Sequence, residues 1–497
     1  MTVHPIDRGP GGPAPSGEPA DLVVRSRRIL TPGGWRDGAV VVVGDQIAAI
    51  AGPGDEPPAT RRVDAMDRIV IPGLVDTHAH FRDPGFTDKE DFTTGTRAAA
   101  AGGVTTALDM PNVDPPTTTA DRLTAHLANA AARSIVDFGH NAAATVPENI
   151  AALAAAGATA FKVFMMRDVG RDYPHMPGIA MDDHATLLRV CEAVAETGLP
   201  LFVHPWDQSL YELFVARAQA QWGRDFRSYA RAGRMGEGIV LDSGIATMLL
   251  LQRETGVRLH ILHVTTIGGI ELIRRAKADG QAVTAEVNPA SLFVANSWAA
   301  IEHWGPYALG LWVPDAHATA LWQATIDGPV DVVGTDHAPH TREEKEVGWQ
   351  DMYAAPGGSP MIQHYLALLL DAVNAGQLTL ERVVELCSSA PSRLVGLYPR
   401  KGAIAPGSDA DLVVVDLERE AVIGAATSYS KCGWTNLEGR VVRGQPVMTI
   451  LRGRVIAEDG VVSGEPGGGR RVTQPLGDLD PADARRPAEV ALATQRG

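Results

Sequence analysis

The stretch RIVIPGLVD, from Arg68 to Asp76, is apolar over most of its length and leads directly into Thr77-His78-Ala79-His80. A short, nearly continuous apolar run is typical of a strand that is buried on both faces. Residues two apart on an extended strand project to the same side, so His78 and His80 are predicted to face one common space. The strand is therefore predicted to present two imidazoles at its carboxyl end.

Seven further runs of the same kind follow, and helix-length segments separate most of them. These runs are Val104–Met110, Ser134–Asn141, Thr159–Met165, Leu199–His204, Val257–Val264, Ala282–Val287 and Val330–Asp336. Eight such strands alternating with helices predict an α/β fold, namely a parallel (β/α)8 TIM barrel. An open, doubly wound parallel sheet is the alternative.

Both ends of the chain have a different pattern, in which β-branched runs are separated by Gly, Pro and Asp turns. Residues 21–67 and 401–464 are predicted to form one small β-sandwich domain built from both chain ends, with the barrel at residues 68–400 between them. Residues 1–20 are predicted to be a disordered tail, and residues 465–497 a C-terminal arm or disordered tail.

Composition excludes several classes of protein. The 497 residues carry a formal net charge of −15, which argues against a nucleic acid or a membrane surface as the main partner. The three cysteines, Cys191, Cys387 and Cys432, include no short-spaced pair, so a disulfide framework is not expected. Since no signal peptide and no membrane-length apolar run is evident, a cytoplasmic location is predicted.

Five of the predicted strands end in, or contain, a potential metal ligand. These residues are His78, His80, Lys162, His204, His263 and Asp336. The carboxyl ends of barrel strands face the active site, so the six side chains are predicted to share one space. His260 is predicted to point to the opposite strand face from His263 and to be structural.

A lysine buried in the apolar run AFKVF is costly unless its charge is removed. Reaction of Lys162 with CO2 would give an N-carboxylate, which is an oxygen ligand. Four imidazoles, this carbamate and Asp336 suit two divalent metal ions, with zinc first. A bridging hydroxide would then attack the substrate, and Asp336 would be the catalytic proton shuttle.

Three motifs carry a resemblance to a known family. IPGLVDTHAHFRDPG (residues 71–85), GTDHAPH (334–340) and GAIAPGSDADLVVVD (402–416) resemble the cyclic amidohydrolase branch of the amidohydrolase superfamily. That branch contains dihydroorotases, allantoinases and hydantoinases. The resemblance implies a binuclear zinc site with a carboxylated lysine at Lys162, and a homo-oligomer, either a dimer or a tetramer.

Within the branch, the chain is most similar to the dihydroorotases. In that family an arginine, an asparagine and a histidine bind the substrate carboxylate, and the matching residues here are Arg82, Asn112 and His340. The resemblance implies a small carboxylated cyclic amide as substrate, dihydroorotate first, interconverted with N-carbamoyl-aspartate. An arginine fork suits a carboxylate. The alternatives are a salt bridge from Arg82 to Asp83 or Asp88, and a turn role for Asn112.

Some segments depart from the dihydroorotase pattern. ALGLWVP (308–314) and AEVNPASLF (285–293) replace family-typical sequences, and the long segments 167–183 and 206–242 are predicted to cover the site as lids. A hydantoinase-, allantoinase- or imidase-like activity on another ring is therefore an alternative. An inactive family member that serves as a scaffold is the alternative from another class.

Overall fold

The computed structural model describes residues 19–167, 179–308 and 312–473. The predicted tails at 1–18 and 474–497, most of the predicted lid at 167–183, and residues 309–311 of the ALGLWVP segment lie outside the described residues.

The strands in chain order are β1 (Ala20–Thr31), β2 (Gly34–Val43), β3 (Gln46–Ala51), β4 (Ala59–Asp64), β5 (Ile69–Pro72), β6 (Leu74–Ala79), β7 (Val104–Asp109), β8 (Asp137–Ala143), β9 (Ala160–Phe164), β10 (Leu201–His204), β11 (Leu259–Ile261), β12 (Val283–Val287), β13 (Val332–Val333), β14 (Leu412–Val422), β15 (Val441–Leu451), β16 (Arg454–Glu458) and β17 (Val461–Val462).

The α-helices are α1 (Phe92–Ala101), α2 (Ala120–Arg133), α3 (Ile150–Ala156), α4 (His184–Thr197), α5 (Gln208–Trp222), α6 (Phe226–Ala232), α7 (Ile239–Thr255), α8 (Ile267–Ala278), α9 (Pro289–Phe293), α10 (Trp298–Trp304), α11 (Asp315–Asp327), α12 (Arg342–Glu346), α13 (Tyr365–Asn374), α14 (Leu380–Val384) and α15 (Ala390–Leu394). Short 3-10 turns and one π-helical turn, Glu385–Ser389, connect some of them.

Strands β6 to β13 form one eight-stranded parallel sheet in chain order. The sheet closes where β6 meets the segment after β13: Ala79 bridges His337 in parallel, and the His80 N–H donates to the His337 carbonyl at 2.7 Å. Helices separate the strands along the chain, so the predicted (β/α)8 barrel is confirmed.

The barrel is held by two apolar layers. Inside it, Leu108, Phe202 and Val332 from three strands, and Leu262 directly after β11, pack on one another. Outside, the helices bury apolar stripes against the strands; α4 buries Leu187, Val190, Cys191 and Val194, which have the helical spacing of three and four residues. This packing fixes the strand ends on which the polar site is built.

The second sheet has nine strands and takes them from both chain ends. Its path runs β17-β16-β15-β14-β5-β1-β2-β3, with β4 paired to β1, and most of its pairs are antiparallel. Leu22 and Val40 from the N-terminal part pack in one cluster with Leu412 and Ile450 from the C-terminal part. The prediction that both ends build one small β-domain is confirmed.

The run from Arg68 to Asp76 is divided between the two sheets. Ile69–Pro72 forms β5, which pairs with β1 and β14, whereas the barrel strand begins at Leu74. Gly73 lies between them, and a side chain there would overlap Thr105. The chain therefore passes from one sheet to the other at a point that only glycine fits.

Two peripheral segments contact the barrel. The predicted lid at 206–242 is helical, and Trp206 at its start is buried, 5.7 Å between ring centroids from His204. The beginning of the C-terminal arm lies along β8, where the Phe138 N–H donates to the Arg470 carbonyl at 3.0 Å. In the part of the chain that the structure describes, none of the helices combines the length and the hydropathy that a membrane span requires.

Candidate active site

The structure brings the six predicted metal ligands to one end of the barrel. They lie in or just past the strands as follows: His78 and His80 at β6, Lys162 in β9, His204 at β10, His263 after β11 and Asp336 after β13.

Asp336 is the centre of this group. Its Oδ1 lies 3.3 Å from Nε2 of His78 and 3.4 Å from Nε2 of His80, and these three residues form a possible metal-binding group. The rings of His204 and His263 are 4.5 Å apart between centroids, and the His263 ring is 5.8 Å from that of His78. Four imidazoles and one carboxylate therefore line the same space.

Burial keeps three imidazoles of the site neutral. It lowers the pKa of His78 and of His80 to about 3, and that of His263 to about 4, because the charged form would lose its hydration. A neutral imidazole is the form that binds a metal ion. The electrostatics of the site thus favour cation binding over protonation.

Lys162 is buried to 1% exposure, and its Nζ has no hydrogen-bond partner among the described residues. The Nζ lies 4.4 Å from the centroid of the Phe164 ring. Burial lowers the pKa of Lys162 to about 7, against the opposing attraction of Asp336 and Glu286. Near neutral pH a large fraction of Lys162 is therefore the neutral amine, which is the form that reacts with CO2. The resulting N-carboxylate would be an anionic ligand of the kind that two cations need.

Further side chains orient the ligands, and sequence analysis did not assign them this role. Glu286 in β12 is fully buried, and its Oε1 lies 2.8 Å from Nδ1 of His78. Oδ1 of Asn112 accepts from Nδ1 of His80 at 2.7 Å. Each contact leaves Nε2 of the histidine for a metal, which is the usual arrangement around metal-bound imidazoles. The sequence does contain a sign of this role for Glu286, because a glutamate inside an apolar strand is unusual.

The prediction that His260 faces away from the site is wrong. Its Nε2 lies 3.7 Å from Oε2 of Glu286, the same carboxylate that contacts His78. Strand β11 ends at Ile261, and His263 has a φ of 35°. Because the chain leaves the extended conformation there, alternation cannot be counted through to His263.

The loop after β13 is fixed by buried polar contacts. Asp76 accepts hydrogen bonds from the backbone N–H groups of His78 and Thr335, both at 3.1 Å. Asn288 donates from Nδ2 to Oδ2 of Asp336 at 3.2 Å. Asp336 itself has a φ of 47°, a conformation that a non-glycine residue adopts only where its surroundings hold it. The carboxylate is therefore preorganised beside the two histidines.

Of the three predicted carboxylate-binding residues, Arg82 and His340 contact each other, whereas Asn112 contacts a predicted metal ligand. Arg82 is 1% exposed; its Nε donates to the Pro339 carbonyl at 3.2 Å, and its Nη2 lies 3.1 Å from Nε2 of His340. Asn112 contacts His80, as described above. Asp83, one alternative partner for Arg82, binds Asn129 and Arg133. The structure thus brings Arg82 and His340 together.

Comparison with known proteins agrees with this geometry. The model of the amidohydrolase family matches residues 69–456. The L-hydantoinase of Paenarthrobacter aurescens is 34% identical over 91% of this chain and 98% of its own length. The dihydroorotase of Halobacterium salinarum is 36% identical over 81% of this chain and 89% of its length, and the allantoinase of Rubrobacter xylanophilus is 35% identical over 90% and 96%.

Among solved structures, the L-hydantoinase (dihydropyrimidinase) from Arthrobacter aurescens superposes with a TM-score of 0.86 at 33% identity, covering 92% of this chain and 100% of that one. Curated relatives with three different ring substrates in their names thus share most of this chain, and residues of a metal-binding group lie together at the barrel mouth. The chain belongs to the amidohydrolase family, and it is a metal-dependent cyclic amidohydrolase.

Proposed function

We propose that this enzyme hydrolyses the C–N bond of a cyclic amide that bears a carboxylate, with dihydroorotate as the first candidate substrate. The observation that carries the proposal is the buried Arg82 guanidinium, two residues after His80 at the mouth of the barrel. Its charge helps to lower the pKa of His80, which places it within electrostatic reach of the ligands.

Arg82 is held in a defined orientation. A guanidinium can only donate, so Nε2 of His340 accepts from it, and His340 is neutral while this contact stands. A positioned, buried guanidinium is the group best suited to a carboxylate, because its planar fork matches the two oxygens. We propose that Arg82, Asn112 and His340 bind the substrate carboxylate, with His340 also orienting Arg82.

We propose that two zinc ions are held by the six ligands. These are His78, His80, His204, His263, Asp336 and Lys162 as its N-carboxylate. When bound, such a pair supplies Lewis acidity and brings the ionisation of water close to neutral pH.

The chain's own residues then move the proton. Asp336 takes a proton from the attacking water, whose oxygen bonds to the ring carbonyl carbon. The C–N bond breaks, and Asp336 delivers that proton to the departing nitrogen. The Asn288 contact holds Oδ2 of Asp336 while Oδ1 faces His78 and His80. Applied to dihydroorotate, this ring opening gives N-carbamoyl-aspartate.

A second candidate is a hydantoinase-like activity on an uncharged ring. It is favoured by the likeness to an L-hydantoinase over 98% of that protein's length, against 89% for the dihydroorotase. An allantoinase-like or imidase-like activity belongs to the same alternative. The predicted homodimer or homotetramer and the cytoplasmic location stay predictions.

A substrate panel separates the two candidates. Purified protein, loaded with zinc and bicarbonate, is assayed with dihydroorotate, hydantoin, dihydrouracil and allantoin. The proposal expects dihydroorotate to have the highest kcat/KM. Turnover of the uncharged rings without turnover of dihydroorotate would overturn the carboxylate assignment and leave the metal site intact.

Arg82→Met tests the anchor itself. A hydrogen bond to a charged group is worth about 1.5–3 kcal/mol, so kcat/KM for an anionic ring is expected to fall by roughly 10- to 150-fold. The value for an uncharged ring and the zinc content should stay near those of the unaltered enzyme. Arg133→Met, which removes the arginine that binds Asp83, is the matched control. Equal losses on charged and uncharged rings would contradict the role of Arg82.

A further inference from the structure

A second cluster of potential metal ligands lies buried in the barrel wall. It consists of Asp109 at the end of β7, His126 on α2 and His140 in β8. Their exposures are 1%, 3% and 0%. Oδ2 of Asp109 lies 3.2 Å from Nε2 of His126 and 3.7 Å from Nδ1 of His140. Three ligand atoms from three separate elements thus converge.

Asp109 and His140 each have one further atom that is already bound, whereas Nδ1 of His126 has no hydrogen-bond partner among the described residues. Oδ1 of Asp109 accepts from the Phe81 backbone N–H at 2.8 Å, and Nε2 of His140 lies 2.7 Å from Oγ1 of Thr117. The three atoms that face one another have no hydrogen-bond partner among the described residues. Burial of an unsatisfied polar atom is unfavourable, so the convergence of these three atoms indicates a ligand that all of them can bind.

A divalent cation would contact all three atoms, which lie within 4.8 Å of one another. Ligand distances of about 2.0–2.2 Å in a tetrahedral site place neighbouring ligand atoms about 3.3–3.6 Å apart, and the two measured separations, 3.2 and 3.7 Å, bracket that range. Burial lowers the pKa of His140 well below its usual value, so its imidazole is neutral. The contact from His140 to Thr117 orients the ring as in known metal sites.

A simple Asp–His hydrogen bond explains less. One shared proton between Asp109 and His126 would leave Nδ1 of His140 facing a carboxylate oxygen at 3.7 Å, beyond hydrogen-bond range. We propose that Asp109, His126 and His140 bind one divalent cation of the zinc class, at a structural site separate from the catalytic pair. A small ligand such as water would complete the tetrahedron.

The proposed site lies next to residues that support the active site. The ion would tie α2 to β7 and β8, and it would fix the carboxylate that holds the Phe81 N–H, directly after His80. Asn112, which orients His80, follows Asp109 by three residues. The site would therefore stiffen the barrel wall on which two active-site contacts depend.

Zinc stoichiometry tests the proposal without using activity. The full chain is loaded with zinc and bicarbonate, desalted and analysed by mass spectrometry of the metal. We expect about three zinc ions per chain in the unaltered protein and about two in His126→Gln. In a His78→Ala, Lys162→Ala, Asp336→Ala background, which breaks the His78–His80–Asp336 group and removes the lysine, we expect about one ion, and about none after His126→Gln is added.

Controls keep the result interpretable. His317→Gln alters another buried histidine, whose Nδ1 accepts from the Ile267 N–H at 3.0 Å, and it should leave the zinc count unchanged. Asp109→Asn replaces His126→Gln if that variant fails to fold. Co2+ added to the catalytic-site background should give the visible absorption of a four-coordinate ion, lost with Asp109→Asn. The proposal would be overturned if the background variant bound no zinc, or if its zinc remained after His126→Gln and after Asp109→Asn.

Discussion

Two lysines, Lys162 and Lys401, are each 1% exposed, yet their surroundings differ completely. Nζ of Lys401 lies 2.5, 2.9 and 2.7 Å from carboxylate oxygens of Asp137, Asp409 and Asp411, where the barrel meets the second sheet. Nζ of Lys162 has no such contact among the described residues. One is an ion-paired ammonium, and the other is a buried amino group without a carboxylate in contact among the described residues.

Their protonation follows from this difference. Burial alone would lower the pKa of both side chains. The three carboxylates overcome that effect at Lys401 and raise its pKa above the ordinary value, whereas burial dominates at Lys162 and lowers its pKa to about 7. Depth of burial therefore does not distinguish a structural lysine from a reactive one; the charged groups in contact with it do.

The largest expected effect comes from Lys162→Ala. Without the amine no carbamate can form, and we expect the loss of both catalytic metal ions with a fall in kcat of roughly a thousandfold or more, since metal catalysis supplies several kcal/mol. Metal analysis and steady-state kinetics measure this. A short carboxylic acid, added as a replacement for the missing carbamate, should restore part of the activity.

Lys401→Met provides the matched control and should retain the catalytic metal ions and measurable hydrolysis. If Lys162→Ala kept its metal ions while Lys401→Met lost them, the roles assigned to the two lysines would be reversed.

The second effect concerns stability. Lys401→Met leaves the buried Asp137 and Asp411, and the partly buried Asp409, without their shared cation, and removing one partner of a buried pair costs about 3–5 kcal/mol. We expect a clear fall in the denaturant concentration at which the chain unfolds. Lys162→Met should not show this fall in metal-free protein, because it replaces an unpaired polar group with an apolar one. Equal unfolding midpoints for Lys401→Met and the unaltered protein would contradict the ion-pair role.

The sequence predicts one of these lysines and not the other, for a physical reason. Lys162 lies inside an apolar strand, where a charge is conspicuous in the pattern itself. Lys401 lies in an irregular segment, and Asp137 is 264 positions away along the chain. The barrel and the convergence of the six predicted ligands follow from local periodicity, because parallel strands bring their carboxyl ends together.

Contacts between distant strands could not be predicted in the same way. Glu286 meets His78 across 208 positions, and only the closed barrel makes them neighbours. The wrong prediction for His260 has a different origin. Strand β11 ends at Ile261, so the alternation of side chains cannot be counted from His260 to His263. Sequence thus predicts which residues point into the barrel mouth more reliably than which of them touch.

The smallest of the expected effects is a pH dependence that reports the state of Lys162. With its pKa near 7, the amine fraction rises about tenfold between pH 6 and pH 8. At a fixed concentration of dissolved CO2, the initial rate of carbamate formation in metal-free protein should rise by the same factor and level off above about pH 8. Carbon-13 NMR with labelled bicarbonate measures that rate.

Stability should change with pH in opposite senses at the two lysines. Between pH 7 and the ordinary lysine pKa of 10.5, the unfolded chain protonates Lys162 and the folded chain does not, so its contribution to stability increases as pH rises. Lys401 has a raised pKa in the folded state, so its contribution is complete below about 10.5 and is lost only at higher pH. Lys162→Met should remove the first dependence and leave the second. A carbamate formation rate that still climbs steeply above pH 9 would show that Lys162 is an ordinary ammonium, and the contrast with Lys401 would then disappear.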